Sequence, residues 1–222
     1  MNEMCYTDSG EYIPGFFCIS LDIDLMDKET SADLPEIVRT TLVHEYIHFL
    51  QDISTTSGIN QANFLHKKFQ EYLHEAALGK EKIEIDPHLR NINNAFLQRD
   101  LNEYYNGNDE HVKVTIDDIK YEEYEWKDYL PKDEKYPAVY FYTNKAEPYL
   151  FGRICILESM AYLIEKIVLN SLPRLNELPY NSCESICKFI CPDLLKTPNI
   201  LLAICELSLM HYNSGVMFYE II

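Results

Sequence analysis

The chain has 222 residues, 47% of them hydrophobic, with 36 acidic against 19 basic side chains and a formal net charge of −17. That length and apolar content suit one sizeable core, and no Gly/Ser/Pro-rich linker divides the chain, so a single domain over residues 1–222 is expected. So large a negative charge repels phosphate backbones and acidic lipid surfaces, which argues against nucleic-acid and membrane partners.

The first ten residues carry Glu3 and Asp8 and no basic cluster ahead of an apolar run, unlike a secretory signal. The odd count of seven cysteines then fits reduced thiols and a cytoplasmic location better than a disulfide framework. Tyr12 to Asp24 alternates from Phe17 through Ile19, Leu21 and Ile23 and predicts one strand. Asp33-Leu34-Pro35-Glu36 reads as a helix start, with Asp33 capping, Pro35 in the first turn and Glu36 closing a capping box. From there Ile37, Val38, Leu42, Val43, Ile47, Leu50 and Ile53 give a long apolar surface without a breaker before Gly58.

Residues 61–78 predict a second helix ending at Gly79, and residues 86–105 a third, stopped by Gly107. Val112, Val114 and Ile116 alternate, and 138–143 is a β-branched and aromatic run, so two more strands are expected with a long acidic connection. That connection, residues 117–136, interleaves eight acidic side chains with Tyr121, Tyr124, Trp126 and Tyr129; it reads as a solvated face, or as a surface for a basic partner. Leu150–Leu169 is the most apolar helix, interrupted by Arg153, Glu158 and Glu165 and therefore not membrane-spanning. A short helix over 182–190, stopped by Pro192, and a last one over 200–212 complete the pattern. Cys183, Cys187 and Cys191 form one stripe on the short helix and read as small buried apolar residues. The fold class expected is α+β: a helix-rich domain with a small sheet packed on the helix that follows the first strand.

That helix carries His44-Glu45-Tyr46-Ile47-His48 at its centre. Two imidazoles four residues apart on a helix face the same way and can grip one metal ion, with the intervening Glu45 beside it. Two histidines and a glutamate on a mostly apolar helix are costly to bury alone, and a metal is the simplest partner. Two histidines leave zinc under-coordinated. Position 54, where a third histidine would follow at short spacing, is Ser54, so a carboxylate is the better third ligand. Glu158 leads because it stands inside Ile154-Cys155-Ile156-Leu157-Glu158-Ser159-Met160-Ala161, where an anion needs a compensating cation. Glu71 and Glu75 remain alternatives on a more polar helix.

His44-Glu45-x-x-His48 together with Glu158-Ser159-Met160-Ala161 resembles the gluzincin class of zinc metallopeptidases. The resemblance covers the two motif helices and the strand before the first, about a third of the chain. It implies a zincin-like fold, zinc held by His44, His48 and Glu158, and hydrolysis of a peptide or protein substrate with Glu45 as general base to a metal-activated water. Two departures stand out: a long gap between His48 and Glu158, and Tyr162 where such enzymes carry an acidic residue four positions after the third ligand. Orientation of one histidine then falls to Asp52, Gln51 or Glu165. Candidate donors to the developing oxyanion are Tyr162, His211, Tyr212 and Arg153. Strand 16–24 would offer its edge to an extended peptide. The alternative function is a catalytically silent interaction protein that uses the acidic aromatic segment.

Overall fold

A computed structural model of the chain describes residues 10–13, 17–21, 34–79, 104–125, 135–145, 147–169 and 177–222. Among these the architecture is mixed, mostly helical with small antiparallel sheets. Two short strands, β1 (Gly10–Ile13) and β2 (Cys18–Leu21), form a hairpin in the register Ile13↔Cys18 to Gly10↔Leu21. The single strand expected over 12–24 is therefore two, and residues 22–24 lie outside the described residues. Helix α1 (Glu36–Ser54) carries the histidine pair, and the hairpin rests on it through edge-on contacts of Tyr12 and Phe17 with Phe49 at 6.3 Å.

The α1 helix starts at Glu36, one residue after Pro35, and the capping box expected between Asp33 and Glu36 involves a residue outside those described. Asp33 lies outside the described residues. The helix stops short of Gly58, at Thr55, which turns to extended backbone (φ −107°, ψ 149°). One hydroxyl serves both sides of that break. Thr55 Oγ1 donates to the Gln51 carbonyl at 2.7 Å and accepts from the Gly58 amide at 3.0 Å, capping α2 (Thr56–Ala77). Gly58 lies within α2, where a Cβ would come 2.3 Å from the Asp52 Cα; only glycine lets the first turn of α2 cross the last turn of α1 this closely.

Strand β3 (Val112–Lys113) is followed by β4 (Ile116–Glu125), β5 (Lys135–Thr143) and β6 (Tyr149–Phe151), the last three forming one sheet in that order. Much of the acidic segment expected as a connection is therefore the edge strand β4, while 126–134 and the helix expected over 86–103 fall outside the described residues. Helix α3 (Arg153–Leu169) follows directly; its first residues, expected as helix from 150, are β6. Gly107 (φ +75°) and Gly152 approach so closely that a Cβ on Gly152 would lie 2.5 Å from the Gly107 nitrogen, which seats segment 104–108 on the start of α3. Asn108 fixes that seat by exchanging bonds with the Leu150 backbone.

Strand β7 (Glu177–Leu178) pairs antiparallel with β3, and is followed by α4 (Ser182–Ile190), α5 (Pro198–Leu209) and α6 (Ser214–Ile221). The last helix was not expected from the sequence; Asn213 caps it by accepting from the Val216 amide. The core lies around α3, where Cys155, Ile156, Phe141, Phe151, Ile186 and Phe218 are closed to solvent. Cys183, Cys187 and Cys205 belong to this core as buried thiols, and burial pushes Cys187 up to about 12. Among the described residues no helix is long and apolar enough to cross a membrane.

Candidate metal centre

α1 and α3 cross at the two motifs. Position 44 and position 48 are one helical turn apart, so both imidazoles leave α1 toward α3, where Glu158 meets them. His44 Nε2 lies 3.0 Å from Glu158 Oε2, His48 Nε2 lies 3.3 Å from Glu158 Oε1, and the two Nε2 atoms are 3.2 Å apart. A tetrahedral ion with bonds of 2.0–2.1 Å has ligand atoms about 3.3 Å apart along each edge. The two Nε2 atoms stand at about that separation, and the Glu158 carboxylate faces them with one oxygen toward each.

The outer nitrogens identify which tautomers stand there. Gln51 Oε1 lies 2.8 Å from His48 Nδ1, and Gln51 Nε2 donates to the Leu157 carbonyl at 3.0 Å, so the carboxamide oxygen is fixed as the acceptor. The His48 proton therefore sits on Nδ1. Glu165, buried on α3, places Oε2 3.5 Å from His44 Nδ1 and selects the same tautomer there. The inner Nε2 atoms face each other and a carboxylate, so a proton held there in the metal-free chain can give way to a metal cation. These three residues can hold a metal ion, and they are the group of metal-ligand type found among the described residues.

Electrostatics agree with that reading. Burial alone would lower His44, but the hydrogen bond to Glu158, the Glu165 carboxylate 3.5 Å from Nδ1 and the charges of Glu158 and Glu45 outweigh it and hold His44 up at about 9. Burial likewise opposes a charged His48, while Glu158 and Gln51 raise it above its ordinary value. Glu158 shows the reverse balance: burial pushes it up, and the two imidazoles pull it far below the carboxylate range.

The trio opens into a cleft of about 380 Å³ lined also by Glu45, Tyr12, Asp52, His111, Arg153 and Tyr180. Glu45 is half-buried on its wall; burial raises its carboxyl, while the charges of His48 and His44 and the nearby Tyr12 backbone lower it. Gly10, Glu11 and Tyr12 bring β1 to the same cleft, and among the described residues of segment 16–24 none lines it.

Of the donors named from sequence, Arg153 lines the cleft. Tyr162 is fully buried on α3, edge-on to Tyr180 at 6.1 Å, and does not line it. His211 sits in the turn before α6, where Nδ1 accepts from the Asn213 amide, and stacks on exposed Tyr212; neither lines the cleft. Glu75 is buried on α2 and does not line it either; the side chain of Glu71 is outside the described residues.

Two cleft residues had no sequence signal. His111 lies edge-on to Tyr180 at 4.9 Å, and Tyr180 edge-on to His44 at 5.7 Å. The two-residue β3–β7 ladder, Val112↔Leu178, sets them side by side. Ser159, next to Glu158, donates to the Pro179 carbonyl and accepts from the Cys183 amide, both at 3.1 Å, and so ties the Tyr180 turn to the ligand helix. Compared with known proteins, the chain matches no family model, no curated protein and no solved structure.

Proposed function

We propose that this chain is a zinc-dependent peptide-bond hydrolase of zincin-like fold, with His44, His48 and Glu158 as ligands and Glu45 as general base. The observation that carries it is the convergence of two imidazole Nε2 atoms and a carboxylate within 3.0–3.3 Å contacts, with a second carboxylate beside them on a cleft wall. Zinc in this cage supplies Lewis acidity and brings a water toward a pKa of about 7.

The chain's own groups do the rest. Glu45 accepts the proton of the attacking water and returns it to the leaving nitrogen. Tyr12 lines the same cleft and brings β1 beside the reacting centre. The β1 edge receives the substrate as an extended segment. The donor role expected of Tyr162 and His211 falls to His111 and Tyr180, which reach the cleft and can face the oxyanion. Gln51 and Glu165 hold the ligand tautomers.

The test is metal content followed by turnover. Purified chain is expected to retain about one zinc and to lose it in His48→Ala. Glu45→Gln is expected to keep the zinc and lower cleavage of a peptide library by about 10²–10⁴-fold. Unchanged turnover in that variant overturns the mechanism. A zinc-loaded wild type that cleaves nothing favours an interaction protein acting through the acidic edge strand β4.

A further inference from the structure

Arg153 is the first residue of α3, one and a half turns before Glu158, and it lines the metal cleft. Its Nε donates to Asn106 Oδ1 at 2.8 Å, which fixes the plane of the guanidinium. Among the described residues no carboxylate oxygen lies within 4.0 Å of it. Burial disfavours its charge, and the field of Asp52 offsets that only in part. The first turn of α3 contains no acidic side chain, so the positive end of a 17-residue helix adds to the guanidinium at the same wall. The cleft thus holds a cation that is partly desolvated, oriented and, among the described residues, without a closed ion pair, next to a candidate reaction centre. A guanidinium in that state is satisfied by a planar carboxylate, which takes two parallel N–H bonds from the fork.

Position along the helix limits where that carboxylate sits on a substrate. Five residues of α-helix rise about 7.5 Å, and extended peptide covers about 3.3–3.6 Å per residue. We propose that Arg153 is a specificity-determining residue that receives a substrate carboxylate one or two residues from the bond cleaved. This rests on the hydrolase reading above and adds the substrate class: peptides with a free C-terminus or an acidic side chain at that distance.

The experiment uses zinc-loaded full chain and matched peptides that differ only in charge: free against amidated C-terminus, and Glu against Gln within two residues of the bond. Wild type is expected to prefer one carboxylate series by at least tenfold in kcat/KM, and the series preferred identifies the source of the carboxylate. Arg153→Gln should collapse that ratio toward one, while Arg153→Lys, which keeps a point charge, should retain part of it. Zinc content near one per chain certifies that each variant has folded. Equal kcat/KM for charged and neutral peptides in wild type, or an unaltered ratio in Arg153→Gln, overturns the inference and leaves the hydrolase reading standing. Binding of fluorescent versions of the same peptides to Glu45→Gln protein separates the opposite case. Carboxylate-dependent binding that Arg153→Gln abolishes, without cleavage by wild type, supports the receptor role and sinks the hydrolase.

Discussion

Gln51 shows how much of a candidate metal centre is decided one step away from its ligand-type residues. It is 2% exposed, accepts from His48 and anchors itself on the Leu157 carbonyl of the opposing helix. Gln51→Ala removes the acceptor that selects the tautomer, and zinc affinity is expected to fall about 10–100-fold, read by competition with a chromophoric chelator. His44 gives the site its pH dependence. In the metal-free chain its pKa is about 9, raised from 6.5, so protonated His44 stabilises the fold fully below about pH 6.5. That contribution fades as the pH rises through 9. Urea midpoints of chelated protein are expected to drop between pH 6.5 and 9.5, and a midpoint that does not move with pH would contradict the pairing. His44, Glu45, His48 and Glu158 were readable from sequence because helical spacing, or an anion inside an apolar run, marks them locally. His111 and Tyr180 were not, since they meet only through the two-residue β3–β7 ladder, across a separation that leaves no periodicity to detect.

Helix α1 was readable at the level of existence and period, but its C-terminus was not. Gly58 is the ordinary stop signal, yet here glycine serves a close crossing and Thr55 makes the break. The Pro14-Gly15 dipeptide is a turn signal that stands between β1 and β2, and the alternation downstream of it concealed two short strands as one. Because the Thr55 hydroxyl both closes α1 and opens α2, Thr55→Val is expected to cost about 1–2 kcal/mol in chemical denaturation, the range of a lost cap. The last turn of α1 also carries Gln51 and Asp52, so the same change should weaken zinc binding. Loss of stability with unaltered zinc affinity would mean that the cap and the centre are independent.

The whole molecule joins a core built around α3 to a centre built between α1 and α3, so occupancy of the centre should be felt by the entire fold. At zinc one hundred times Kd the expected gain is about 2.7 kcal/mol, or roughly 5–11 °C in Tm for a chain of this size. His48→Ala should abolish the shift, and scanning calorimetry with and without chelator measures it. Protons compete with zinc for His44 and His48, so the gain should grow between pH 6 and 8.

His44 and Glu158 are separated by 114 positions along the chain. During synthesis the two histidines exist as a half-site once α1 has formed, but the third ligand is made more than a hundred residues later. Two imidazoles alone hold a divalent ion loosely, and firm capture waits until α3 has docked and brought its carboxylate. On the proposed ligand set, metal retention is therefore expected of the whole chain and not of its amino-terminal half. Release of zinc to a fluorescent indicator should then report the parting of α1 from α3, as a clock for the first step of unfolding.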